Sequence, residues 1–202
     1  MKIITIILSL MLSSSSIPAK NIDLQYSEYN EYVRQYCLEQ EGDNIWYSYI
    51  DTDKNSKTYG DYGFKDTTTN EVMVPTQYTI IYKKCFDSNK SETYVAVRSS
   101  GGGWIYINQN GEDIVQAYNF DAGPDFFKEG LSRYVENGKV GFINENLEIV
   151  IPAQFDNAYP FENGFAKVCN GCQRDPMVEH SKLEGGIWGV VDKKGNVTWD
   201  KE

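Results

Sequence analysis

His180 is the single histidine of the 202-residue chain. It stands in a short stretch with Cys169, Cys172, Asp175, Glu179 and Glu184. Two thiols at Cys-x-x-Cys spacing, an imidazole and a carboxylate could together complete a tetrahedral zinc site. Exported thiols oxidise, however, and Asn170-Gly171 between the two cysteines is a turn-forming pair. The stretch therefore reads first as a turn closed by a Cys169–Cys172 disulfide. Zinc is the minor alternative, no metal is assigned, and a redox pair lacks the strand-helix context it needs. Ser181 beside His180 makes no triad, because chain neighbours seldom face each other. Ser99 to Trp104, "SSGGGW", lacks the Gly-Lys-Ser/Thr ending of a phosphate loop and reads as a hairpin turn. Asp121 and Asp156 could in principle perform acid-base hydrolysis, but they hold the same place in a repeat, and an Asp there can bond its own turn. No catalytic residue, cofactor or enzymatic activity is assigned.

The N-terminus points outside the cytoplasm. Met1-Lys2, the apolar run Ile3 to Leu12 and the small-residue stretch Ser13 to Ala19 follow the order of a secretory signal peptide, residues 1–19. That run is too short to span a bilayer as a helix, and no later segment is apolar enough. A periplasmic or secreted protein is expected. Four cysteines allow three pairings. With Cys169 and Cys172 near neighbours, the reading favours Cys37–Cys85 for the other bridge. A net charge of −10 with no basic run argues against nucleic acid and anionic lipid surfaces. It would suit a basic partner, or merely solubility.

The elements that must position these residues repeat. "WIYINQNGEDIVQAYNFD" (104–121), "VGFINENLEIVIPAQFD" (140–156) and "WGVVDKKGNVTWD" (188–200) align. Trp104, Val140 and Trp188 share one column, Asn108, Asn144 and Asp192 a second, and Gly111, Leu147 and Gly195 a third. A weaker copy runs from Tyr62 to Tyr78, with Asp66 at its bend and Pro75 matching Pro152. Apolar alternation is the period of a half-buried strand, and Asn, Asp and Gly at the bend accept a left-handed backbone. Each unit therefore predicts a tight antiparallel hairpin. Pro75 and Pro152, lacking a donor, should mark a strand end or an edge. The linkers 127–140 and 161–171 also match, each with Phe, a polar pair, Gly and an alternating run.

Trp188-Gly189-x-x-Asp192-x-x-Gly195, Val150 to Asp156 and Phe161 to Ala166 resemble the WG repeat, also called the KWG repeat, in a protein of the exported bacterial type. The anchors are Tyr62, Trp104, Val140, Gly141, Trp188 and Gly189. Ile105 stands where the family has glycine, and Gln116 where it has proline. The resemblance implies an all-β, mainly antiparallel array of hairpins and an interaction role, and it supplies no catalytic residues.

Ahead of the repeat domain (46–202), residues 20–45 form a cap. Tyr29, Tyr32, Val33, Tyr36 and Cys37 make the stripe of a short helix, begun by Ser27 and ended by Gly42. Repeat arrays need such a polar-faced end. The insert Cys169 to Gly186 interrupts the last unit, and inserts tend to collect on a binding face. Arg174, Asp175, Met177, Glu179 and His180 are its candidate contacts. Trp104 and Trp188 are expected in the core, whereas Trp46 and Trp199 lie outside the repeat column. The leading expectation is a non-enzymatic envelope protein that binds a protein partner, with an immunity or inhibitor role as its narrower form. Binding of a glycan such as peptidoglycan through exposed aromatics comes second, and a carboxylate-dependent hydrolase third.

Overall fold

The structure is a computed structural model that describes residues 22–41, 45–83, 85–87, 94–108, 110–120, 122–174 and 183–200. The proposed signal peptide lies outside the described residues, as do Asp121, Asp175, Met177, Glu179 and His180.

Among the described residues one helix, α1 (Ile22–Glu41), precedes β1 (Ile45–Ile50), β2 (Tyr62–Asp66), β3 (Val72–Ile81) and β4 (Cys85–Asp87). Then come β5 (Tyr94–Ser99), β6 (Trp104–Asn108), β7 (Asp113–Ala117), β8 (Asn119–Phe120) and β9 (Gly123–Pro124). β10 (Leu131–Glu136), β11 (Lys139–Asn144), β12 (Ile149–Phe155) and β13 (Asn157–Ala158) follow. The chain closes with β14 (Phe165–Asn170), β15 (Gln173–Arg174), β16 (Leu183–Glu184), β17 (Ile187–Asp192) and β18 (Val197–Trp199). Every named pairing is antiparallel. The expected all-β class holds.

The repeated unit is larger than a hairpin. β1-β2-β3, β5-β6-β7, β10-β11-β12 and β14-β17-β18 are four three-stranded meanders. The expected hairpin supplies the second and third strands of each. The alternating run in the linker is the first strand, which pairs along the whole of the second: Leu131 to Glu136 against Lys139 to Asn144. A two-stranded ribbon is marginal in water, and the third strand widens the face it can bury.

The units stack through alternate residues of their strands. Where β7 meets β10, only two residue pairs join, Tyr134 with Ala117 and Val135 with Gln116. At that narrow joint the side chains of one unit turn onto the next. One face of the first unit (Trp46, Phe64, Val74) packs against Val95, Val97 and Ile107. The second unit's Ala96, Trp104 and Tyr106 pack against Tyr134 and Ile143. The third unit's Leu131, Val140, Phe142 and Ile151 pack against Ala166, Val168 and Val191. Each unit thus has a forward face, toward its successor, and a backward face.

The bends are built alike. The side-chain oxygen of Asn108 accepts from the backbone N–H of Asn110 and Glu112, that of Asn144 from Asn146 and Glu148, and that of Asp192 from Lys194 and Asn196. Asp66 does the same for Thr68 and Thr69. The third column then takes a left-handed backbone, with φ of 76° at Gly111, 61° at Leu147 and 85° at Gly195. Leu147 accepts that disfavoured conformation because its side chain is buried in the core.

The glycine after the anchor has a steric cause. Gly63 sits between the pairs Tyr62–Tyr78 and Phe64–Val74, so residues 75–77 bulge opposite one residue. Gly141 faces the same bulge at residues 152–154. A Cβ on Gly63 would lie 2.5 Å from the Val74 carbonyl, and one on Gly141 2.5 Å from that of Ile151. Pro75 and Pro152 therefore mark bulges within their strands rather than strand ends, because a bulge removes the ladder bond that proline lacks; Pro152 also lies on an edge, as expected, since β12 ends its sheet. In the second unit Ile105 pairs with Gln116 and Tyr106 with Val115, without a bulge at that point. This in-register strand needs neither the glycine nor the proline, which is why both are missing there.

At the N-terminal end, α1 covers the first unit's backward face. Val33 and Cys37 join Ile45 and Tyr47 in a core cluster, and Cys37–Cys85 ties the helix to β4. The helix begins five residues ahead of Ser27, its expected cap, since Ile22 already opens it. Its early turns are held by Tyr26, which packs on the Tyr59 ring 5.9 Å away. Tyr32 and Tyr36 are exposed and stack on each other, outside the buried stripe.

Candidate functional site

The strongest candidate lies at the other end of the stack. By register, Phe165, Lys167, Trp188 and Val190 of the fourth unit occupy the places of Leu131, Arg133, Val140 and Phe142 in the third. The third-unit residues are core: Phe142 is 0% exposed and Leu131 7%. In the fourth unit Val190 is 39% and Phe165 53% exposed. The forward face of the fourth unit is thus built like the buried ones but carries no covering element among the described residues. Trp188, expected in the core, is only half-buried for this reason. Trp199 is turned the opposite way, edge-on to Phe155 and over Gly189.

The two faces differ in charge. In the third unit the Arg133 guanidinium donates twice to the Asp125 carboxylate, at 2.7 and 2.8 Å, and once to the Ala158 carbonyl. It also lies over the Tyr118 ring, 4.2 Å from its centroid. A desolvated cation is stable there because all its main directions are satisfied. At the matching places the fourth unit has Lys167 and, counting back from the shared Phe-x-x-Gly, Tyr159 for Asp125. The Lys167 ammonium lies 4.4 Å over the Trp188 ring, which Tyr159 flanks. Lys167 has no carboxylate partner among the described residues.

Trp188 links this face to the insert. Its indole N–H donates to the Gly185 carbonyl at 2.9 Å. The base of the insert is the short ladder β15–β16, which pairs Gln173 with Glu184 and Arg174 with Leu183. Cys169 and Cys172 form the expected disulfide at its root. Among the described residues no group of three or more His, Cys, Asp or Glu side chains could hold a metal.

Asp156 does not bond its own turn, the duty expected of its column. Its carboxylate accepts the Gly171 N–H at 2.6 Å and binds the Lys139 ammonium. The Gly171 bond first, then Lys139, hold its carboxyl below the usual aspartate range. It ties the fourth unit's first turn to the third unit. Asp192, by contrast, is committed to its own bend, chiefly through Asn196.

The sequence reading missed Lys167 and Val190 on the exposed face, the Arg133–Asp125 pair and two tyrosines. The Tyr134 hydroxyl accepts the N–H of Ala153, a residue of the bulge, at 3.0 Å. Tyr49 holds the equivalent place in the first unit, with Thr76 as its partner. Units with Gly and Pro also have this Tyr, and the second unit has Val97 instead. The covariation of three columns was the available signal.

Residues 104–139 and 141–171 match the family model described as WG containing repeat. The two matches begin at residue 104, the start of β6, and at residue 141, within β11, so the family's repeat begins on the second strand of a packing unit. No curated protein and no solved structure matches the chain.

Proposed function

This chain is a WG-repeat protein, and we propose that it is a non-enzymatic, exported binder of another protein, held at the forward face of its fourth unit. The observation that carries this reading is the exposure of Phe165 and Val190, with Trp188 half-buried between them, where the third unit buries Leu131, Phe142 and Val140. Contiguous exposed apolar surface marks interaction sites. Export is supported by the order of residues 1–19 and by two disulfides.

The stack itself shows what covers such a face. The third unit is capped by Ala166, Val168 and Val191, a sheet face of small and β-branched side chains, and by the Ala158 carbonyl, which accepts from Arg133. The fitting partner therefore presents an aliphatic sheet face and a hydrogen-bond acceptor opposite Lys167. The insert, rooted beside Trp188, would contact the partner's flank through residues 174–180. An immunity or inhibitor role is the narrower form of this reading.

The test begins with cross-linking of the full chain in envelope extract to identify a partner, followed by titration with the purified partner. Val190→Asp and Lys167→Glu should each weaken that complex at least about tenfold, a loss of about 1.4 kcal/mol. Equal affinity in both variants would refute the assignment of this face.

A further inference from the structure

We propose that the groove where the second and third units part takes an arginine side chain from a basic partner polypeptide. β7 and β10 pair only at Ala117–Tyr134 and Gln116–Val135. Beyond that joint lies a groove of about 450 Å³. It is lined by residues 113–116 of β7 and 134–137 at the end of β10, together with Ile105, Leu147 and Ile149. Binding pockets begin at roughly 300 Å³, so there is room for one long side chain and part of its neighbour.

The lining is of two kinds. Ile114 is 43% and Ile149 55% exposed, and they come from different units. Together they offer an apolar surface that the methylene stem of a long side chain can cover. Asp113 and Glu136 are exposed carboxylates, one from each strand. Among the described residues neither has a hydrogen-bond or salt-bridge partner, and no Lys, Arg or His lines the groove. The next joint along the stack is finished differently, with Asp156 answered by Lys139 and Glu129 by Lys193. Only at the earlier joint do two like charges flank an apolar surface with no cation between them.

This lining selects the occupant. An arginine has an aliphatic stem for Ile114 and Ile149, and a planar guanidinium whose donors can meet carboxylates on both strands. The peptide around it adds apolar surface, which a free polyamine lacks. A metal ion is unsuited, because no group of three or more His, Cys, Asp or Glu side chains gathers among the described residues. A second copy is unsuited too, because chains of net charge −10 repel one another. The groove shares no residue with the fourth-unit face and does not depend on it.

The test uses the full chain and the peptide acetyl-Val-Arg-Val-Arg-Val-amide, read by the methyl NMR signals of Ile114 and Ile149. The same peptide with citrulline for arginine is the neutral isostere, and spermidine is the free-cation probe. The arginine peptide should shift both methyl signals saturably, and the citrulline peptide should bind at least about tenfold more weakly. Asp113→Asn with Glu136→Gln, both at exposed positions, should weaken the arginine peptide by a similar factor. Glu31→Gln, an exposed carboxylate on α1, should leave its binding unchanged. The proposal is overturned if the arginine peptide shifts neither methyl, if the citrulline peptide or spermidine binds as tightly, or if the double variant binds as the parent does.

Discussion

The two ends of this stack are finished differently. At the N-terminal end a helix lays Val33 and Cys37 on the first unit's backward face, and a disulfide fastens it. At the far end the fourth unit presents Phe165, Trp188 and Val190 with no helix or strand over them among the described residues. Both faces come from one repeating pattern of alternate strand residues. The difference teaches that an apolar strand position in a repeat is not core by its type; it becomes core only when a neighbour arrives.

Matched truncations should show this contrast most strongly. Phe142→Ala removes a ring enclosed by the fourth unit and should cost about 4 kcal/mol. Val190→Ala, at the same place one unit later, should cost less than about 0.5 kcal/mol. Urea denaturation of both variants measures the pair, and similar losses would erase the distinction between the ends.

The fastening at the N-terminal end should matter nearly as much. Cys37 and Cys85 are 48 residues apart, and opening so long a loop in the unfolded chain should cost about 4 kcal/mol. Cys37→Ala with Cys85→Ala, followed by thermal unfolding, tests this. Hydrogen exchange should rise first in α1 and leave the fourth unit unchanged.

A smaller effect sharpens the comparison within the stack. Gly141→Ala should destabilise by about 2 kcal/mol, because the added Cβ meets the bulged strand. Ile105→Ala, where no bulge exists, should lose only its partly buried side chain, about 1 kcal/mol. Denaturant midpoints for the two would show whether the bulge is what demands glycine.

Much of this was legible before any coordinates. The turn columns, Asn108 with Asn144 and Gly111 with Leu147, gave the bends, because bend chemistry is local. Both cysteine pairs also emerged as expected. The first strand of each unit was less visible. Leu131 to Glu136 reads as a linker until its partner Lys139 to Asn144 is seen alongside it, and pairing is a property of two segments together. That Trp188 is only half-buried was hidden for a similar reason, since its column says which way a side chain points and nothing of what stands opposite. Asp125 as the partner of Arg133 was not found either; its equivalent in the fourth unit is Tyr159, so the repeat offered no second copy to notice.

The most direct measurement is thermal unfolding of the full chain carrying Val190→Asp, beside Phe142→Asp. An uncovered fourth-unit face predicts that Val190→Asp melts within a few degrees of the parent, a shift worth less than about 1 kcal/mol, while Phe142→Asp fails to fold. A Val190→Asp chain that loses its fold as Phe142→Asp does would mean that the face is already buried, and the docking surface would not exist.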